Sequence, residues 1–204
     1  MVVVGRASKM DEEVNIAACR EVGVPILRRH SGGSTIVAGP GCLMYAVVLS
    51  YQLRPKLRMI DDAHRYVLDT LASELSGRVP DIERAGISDL TLANGMKFSG
   101  NALRCCRTHL LYHGTLLYDF PLASVSRLLL HPPRQPDYRQ QRTHGEFVTN
   151  LPLSRTELRA AVIAAWQKGA NDGQPFASLE PWPEKETALL ANERYASHDW
   201  NWQR

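Results

Sequence analysis

Two glycine-bearing segments carry the residue types that chemistry on an anion requires. The first is Arg28-Arg29-His30-Ser31-Gly32-Gly33-Ser34, two guanidinium groups followed by small residues whose backbone can approach a ligand. The second is Lys97-Phe98-Ser99-Gly100-Asn101-Ala102, a lysine beside a serine and a glycine. Glycine tolerates positive φ and leaves successive N–H groups open, which turns a bend into a nest for a phosphate or carboxylate. Lysine is scarce here, five against nineteen arginines, so one placed inside a Gly/Ser turn stands out. As a compact point charge it suits an oxygen whose negative charge grows during a reaction. Spacing alone leaves a plainer reading open for both segments: a tight turn with two surface arginines, and a strand-end lysine capping a hairpin.

Further candidates are thinner. Arg28 and Arg29 fall on an expected strand, so their side chains point to opposite faces and one of them reaches the turn. His113-Gly114-Thr115 offers backbone or hydroxyl groups to a ligand, although an apolar strand with a histidine satisfied in the core is the simpler account. Asp89, after Ser88, is a candidate for holding Mg²⁺ beside a nucleotide, with a structural hydrogen-bond acceptor as the simpler account. Cys19, Cys42, Cys105 and Cys106 show neither a CxxC pair nor metal-ligand spacing, and free thiols are expected. None is assigned as a nucleophile.

These groups need positioning elements. The β-branched run at 1–5 predicts a buried strand, and 11–22 a short helix with acids in its first turn. Strands follow at 25–29 and 35–38, and an almost wholly apolar one at 42–51. Residues 61–76 predict an amphipathic helix with Tyr66, Val67, Leu71 and Leu75 on one side and Gly77 as its stop. Asn94-Gly95 predicts a hairpin between strands at 87–92 and 96–99. An Arg/Cys-rich loop then leads to a strand over 110–120. Residues 131–145, rich in proline, arginine and histidine, read as a mobile surface loop. Ser154-Arg155-Thr156-Glu157 is a capping box opening a helix to Lys168, and a last helix covers 184–195, with Trp200 and Trp202 anchoring the tail. The fold class is α+β, a mixed, antiparallel-rich sheet flanked by helices.

At 204 residues the chain is expected to be one domain. A net charge of +3 without a basic run argues against nucleic acid as a partner. No apolar stretch approaches the ~20 residues that span a bilayer, so no membrane role is expected. Without a signal peptide, a cytoplasmic location is expected.

Together these segments resemble the lipoate-protein ligase family, within the wider group of biotin and lipoate protein ligases. The matching pieces run in order: Val2-Val3-Val4-Gly5-Arg6, Val14-Asn15, Arg28 to Ser34, Ser88-Asp89-Leu90, Lys97 to Ala102, and His113-Gly114-Thr115-Leu116-Leu117. Trp200-Asn201-Trp202 looks like the end of the family's catalytic domain. The resemblance implies the α+β catalytic domain shared with biotin ligases and a two-step reaction. Lipoate attacks the α-phosphate of ATP with Mg²⁺, and a lysine of a carrier domain then takes the acyl group from lipoyl-adenylate. It implies carrier domains of the 2-oxoacid dehydrogenase E2 type or the glycine-cleavage H type. By the same resemblance Arg29 contacts the ligand, and Ser31, Gly32, Gly33, Ser34, Thr35, Ile36 and Val37 line the lipoyl-adenylate pocket. Lys97 touches the activated carboxyl and phosphate. Asp89, Ser99, Gly100, His113, Gly114 and Thr115 complete the substrate and nucleotide contacts, with Asp89 toward Mg²⁺. Ile36, Val37 and the apolar strand from Cys42 would supply a slot for the acyl tail.

This chain departs from the family pattern in three ways. Members usually carry a further strand and helix before Val2, so part of the acyl pocket is expected to be missing. Ser34 replaces the third glycine of the turn, and Ala38-Gly39 and Cys42 replace the usual His-Asp and Asn. No C-terminal accessory domain is expected within 1–204, which makes a separate accessory subunit a candidate partner. Two rivals stand beside the ligase: an octanoyl- or lipoyl-transferase between carrier proteins, and a homologue that binds lipoyl groups or adenylates without turnover. The transferases use a cysteine shortly before the lysine hairpin, and residues 81–92 contain none.

Overall fold

The computed structural model describes residues 1–167 and 181–203, and its contacts divide the chain into two compact units. The first unit is built from residues 1–38, 124–133 and the described residues from 181 onward; the second takes 39–123 and 134–167.

The first unit centres on a three-stranded sheet in the order β2-β1-β3. β1 (Val2–Val4) runs parallel to β2 (Ile26–Arg28) and antiparallel to β3 (Ile36–Val37). Val2 and Val4 are fully buried, as a β-branched run on a packed surface should be. The single helix expected over 11–22 is two: α1 (Met10–Glu13) and α2 (Ile16–Glu21). Buried Val14 takes an extended conformation to pair with Leu129, just past α4 (Ala123–Leu128), and Asn15 restarts the chain as the cap of α2 by accepting from the Ala18 N–H. A tertiary pairing therefore overrides the local helical pattern. The expected helix at 184–195 begins as α7 (Glu184–Leu190) and continues as a wider turn over Ala191–Tyr195 before α8 (His198–Asn201).

The second unit holds a five-stranded antiparallel sheet in the order β4-β8-β7-β6-β5. Its strands are β4 (Cys42–Ser50), β5 (Ile82–Ala85), β6 (Asp89–Leu92), β7 (Lys97–Cys105) and β8 (His109–Leu117). Asn94-Gly95 makes the β6–β7 turn, with Gly95 at φ 71°. The segment read as an Arg/Cys-rich loop is the far half of β7, paired through Cys105 with Leu110. One face of the sheet packs against α3 (Ile60–Leu75) and α6 (Arg155–Gln167) through Leu68, Leu71, Leu158, Phe98, Tyr112 and Leu116. The Ser154–Glu157 capping box starts α6 as expected, while Lys168 lies outside the described residues. β4 is not buried throughout. Its residues alternate, with Leu49 in the core and Met44 and Val48 on the opposite face at 60% and 54% exposure. A strand at a sheet edge with one covered face reads this way.

Among the described residues, no helix is long and apolar enough to cross a membrane.

Candidate active site

In the first unit the glycine turn is shaped by three side chains, those of Arg29, Ser8 and Glu13. Arg29 donates through Nε and Nη2 to the Gly32 carbonyl, through Nη2 to the Ser34 carbonyl at 2.9 Å, and through Nη1 to the Val3 carbonyl. Four of the five guanidinium N–H donors are thus spent on backbone. The Ser8 hydroxyl donates to the Gly33 carbonyl, and the Arg6 N–H to the Ser31 carbonyl. From the other side Glu13 Oε2 accepts the Thr35 N–H at 2.7 Å. With the carbonyls drawn inward, the N–H groups of Gly32, Gly33 and Ser34 donate to nothing among the described residues and lie exposed. Gly33, at φ 86°, supplies the left-handed step that this arrangement needs. A row of outward N–H groups on a positive-φ bend is an anion nest. Burial pulls the Arg29 guanidinium down to about 10, opposed by the Glu13 charge, so it stays a cation at neutral pH.

The two arginines do separate, as alternation along a strand requires. Arg28 is buried and donates to the carbonyls of Gly5, Arg6, Ser8, Asn201 and Gln203. The Asn201 side chain accepts the Arg28 N–H, and the Trp200 indole donates to the Arg28 carbonyl. Ser31 and Thr35 are buried, Ile36 and Val37 half-buried, and the Thr35 hydroxyl has no partner among the described residues.

In the second unit, antiparallel pairing sorts the remaining candidates by face, because residues directly opposite one another share a face. Ser99 pairs with Leu116, and Asn101 with Gly114, on the helix-covered side. Asp89, Gly100 and Thr115 lie across from one another on the other side, as do Ala102 and His113. Lys97, opposite Thr91 across a bulge, reaches Asp89 with Nζ–Oδ1 at 2.8 Å. Gly100 makes room for this pair, since a Cβ there would stand 3.1 Å from Lys97 Nζ. Gly114 makes room for Asn101, whose amide donates to the Ser88 carbonyl and Ser99 Oγ and accepts the Tyr45 hydroxyl. Ser99 and Gly114 thereby brace β6–β8, whereas Asp89, Lys97, Gly100, His113 and Thr115 face away from the core. The Thr115 hydroxyl makes a long bond to the Gly100 carbonyl.

Sequence reasoning missed the segment that covers this end of the sheet. Residues 131–145 form no mobile loop of the kind expected from composition. A short helical turn (Asp137–Arg139) and α5 (His144–Phe147) are tied down by their own polar groups. Tyr138 Oη donates to Asp89 Oδ2 at 2.7 Å. Arg139 and Arg142 exchange bonds with each other's carbonyls, and both guanidinium groups lie over the Phe147 ring. Lys97 Nζ sits 5.9 Å from the same ring, and the Thr149 N–H donates to the Lys97 carbonyl. One signal was present: Thr143-His144-Gly145-Glu146 has capping-box spacing, and both reciprocal bonds form.

Asp89 does not fit a protein-held Mg²⁺. Both its oxygens are committed, one to Lys97 and one to Tyr138, and Mg²⁺ demands six oxygen ligands in an octahedron. No group of three or more potential metal ligands occurs among the described residues.

The lipoyl protein ligase A/B catalytic-domain model matches residues 1–166. The chain belongs to this family. A Schizosaccharomyces pombe relative of the lipoyl ligase family, assigned as a lipoate-protein ligase A, is 27% identical over 161 residues, 78% of this chain and 41% of its own length. The human mitochondrial lipoyl amidotransferase LIPT1 is 30% identical over 134 residues, 64% of this chain and 34% of its own length. The chain thus spans less than half of each of these two relatives. A structure of the bi-partite lipoate protein ligase and E2 lipoyl domain of Thermoplasma acidophilum matches with TM-score 0.79 at 21% identity, covering 98% of this chain and 79% of that one. Two further lipoate-protein ligase structures, one with lipoic acid and one with ATP, match with TM-scores of 0.76 and 0.72, each at 21% identity and over 98% of this chain and 81% of theirs. At that identity the likeness establishes the fold, an α+β lipoyl ligase catalytic domain.

Proposed function

We propose that this chain is the catalytic part of a lipoate-protein ligase. Lipoate and ATP are its substrates, lipoyl-adenylate its intermediate, and a lysine of an E2-type or H-type lipoyl carrier domain its acceptor. In the first step the lipoate carboxylate attacks the α-phosphate and pyrophosphate leaves. In the second the carrier amine attacks the acyl carbon, AMP leaves, and one proton is released.

The observation that carries this reading is Lys97. One of its three N–H donors is on Asp89 and the other two have no partner among the described residues, so a held ammonium keeps two donors for the activated carboxyl and phosphate. Such fixed donors stabilise charge that develops in the transition state without reorganising. Within the first unit, and considered by itself, the glycine nest offers N–H donors suited to an oxyanion. Support also comes from the ligand-bound relatives, and an accessory subunit fits the bi-partite relative. Magnesium would enter with the nucleotide, since the residues present do not build its cage.

Residues 81–92, where the transferase reading places its cysteine, contain none. Burial pushes the Cys42 thiol up to about 11, the opposite of what an attacking thiolate needs. Iodoacetamide at pH 8 is therefore expected to alkylate exposed Cys105 at least tenfold faster than Cys42 by peptide mass spectrometry. Rapid Cys42 labelling would reopen the transferase reading. The deciding experiment is lipoate-dependent ATP–pyrophosphate exchange on the purified chain, followed by addition of an apo lipoyl domain. Exchange together with a lipoyl mass gain on the carrier is the expected result. Acyl transfer from a lipoylated carrier without ATP would replace the ligase by a transferase.

A further inference from the structure

Lys97 approaches Asp89 from one side only. A carboxylate bonded through a single oxygen can still turn about its Cα–Cβ and Cβ–Cγ bonds, and the ammonium it holds turns with it. A second donor on the opposite oxygen fixes the carboxylate plane. That second donor is the Tyr138 hydroxyl, 2.7 Å from Oδ2. Burial and the Asp89 charge push the Tyr138 phenol up, which keeps it protonated and in the donor role.

Tyr138 is itself held firmly. Its ring lies 5.3 Å from Phe147 and against Gly86, where a Cβ would stand 3.2 Å from the ring. Its carbonyl accepts from Arg142 Nη2, and that same nitrogen also donates to the Gly95 carbonyl in the turn leading to Lys97. The segment returns to Lys97 twice more, through the Phe147 ring and through the Thr149 N–H on the Lys97 carbonyl. Four contacts of this stretch therefore converge on the hairpin that bears the lysine: those of Tyr138, Arg142, Phe147 and Thr149.

We infer that Tyr138 is a positioning residue for Lys97, acting through Asp89. It rests on the ligase reading above, because the work it supports is the aim of the two remaining Lys97 N–H donors. The hydroxyl touches neither substrate in this role. Its loss lowers the rate of the chemical step while leaving ground-state binding in place.

The test is lipoate-dependent ATP–pyrophosphate exchange with Tyr138→Phe, Asp89→Asn and the double variant, each checked for an unchanged melting profile. Phenylalanine keeps the ring on Phe147 and removes only the oxygen. Tyr138→Phe is expected to reduce the maximal rate about tenfold, the scale of one hydrogen bond to a charged group, with both KM values within about twofold of wild type. In the Asp89→Asn background the same change is expected to alter the rate by less than about twofold, because the shared acceptor charge is already gone. A wild-type maximal rate in Tyr138→Phe overturns the inference. So does an undiminished tenfold drop in the Asp89→Asn background, or a loss confined to KM. A wild-type chain that gives no exchange either alone or with an accessory subunit removes the ligase reading and this inference together, whereas an active wild type with an indifferent Tyr138→Phe removes this inference alone.

Discussion

The glycine turn and the lysine hairpin both pair a cation with glycine, and they use the cation in opposite ways. Arg29 turns inward and binds the carbonyls of Gly32, Ser34 and Val3, so the arginine is the scaffold and the backbone is the donor. Lys97 is held from behind by a carboxylate that Tyr138 in turn holds, so the backbone and neighbours are the scaffold and the cation is the donor. The planar, five-donor guanidinium suits the first task, and the compact ammonium suits the second. A positive residue beside a glycine can therefore serve the glycine or be served by it, and residue type decides which.

The sharpest break is expected at the served cation. Lys97→Ala should lower adenylate formation at least 100-fold with little change in melting temperature, measured by pyrophosphate exchange and calorimetry. Retained activity would place the essential charge elsewhere. Arg29→Ala should act the other way round. Freeing the carbonyls of Gly32 and Ser34 is expected to cost about 2–3 kcal/mol in denaturant unfolding and to raise KM more than it lowers the maximal rate. A pure rate loss at full stability would make Arg29 a ligand contact rather than a scaffold. Glu13→Ala, which leaves the Thr35 N–H without its acceptor, should destabilise by about 1 kcal/mol, and Glu13→Gln, which keeps an amide oxygen there, by less. The smallest effect is expected at Gly100→Ala. Its Cβ displaces only the flexible end of Lys97, so a rate loss of about threefold at near-normal stability should appear.

Local signals in the sequence carried some elements fully and others not at all. Val2–Val4, the helix from Ile60, the Asn94-Gly95 turn and the Ser154–Glu157 box are each specified by neighbours within a few residues, and each forms where expected. β5 and the far half of β7 were not legible, because Glu83, Ala85, Asn101 and Ala102 are weak strand formers whose conformation is set by the partner strand. The inward turn of the Arg29 side chain was equally hidden, since a strand pattern gives a face but not a hydrogen-bond partner. The segment 131–145 was misread for a related reason. Composition counts polar residues as solvent-facing, yet Arg139 is buried by bonding to Arg142 and stacking on Phe147. Only the Thr143–Glu146 spacing spoke for order there.

The cage of carbonyls around Arg28 also orders events in time. Its guanidinium needs Gly5 and Ser8 from the beginning of the first unit and Asn201 and Gln203 from more than 170 residues later. During synthesis the Arg28 guanidinium stays hydrated until those later carbonyls have been made, while every contact within the five-stranded sheet lies in chain already produced. Loop closure over such a span is slow compared with hairpin formation. The half of the molecule that carries Lys97 is thus free to acquire its shape first, and the cage around Arg28 is completed last.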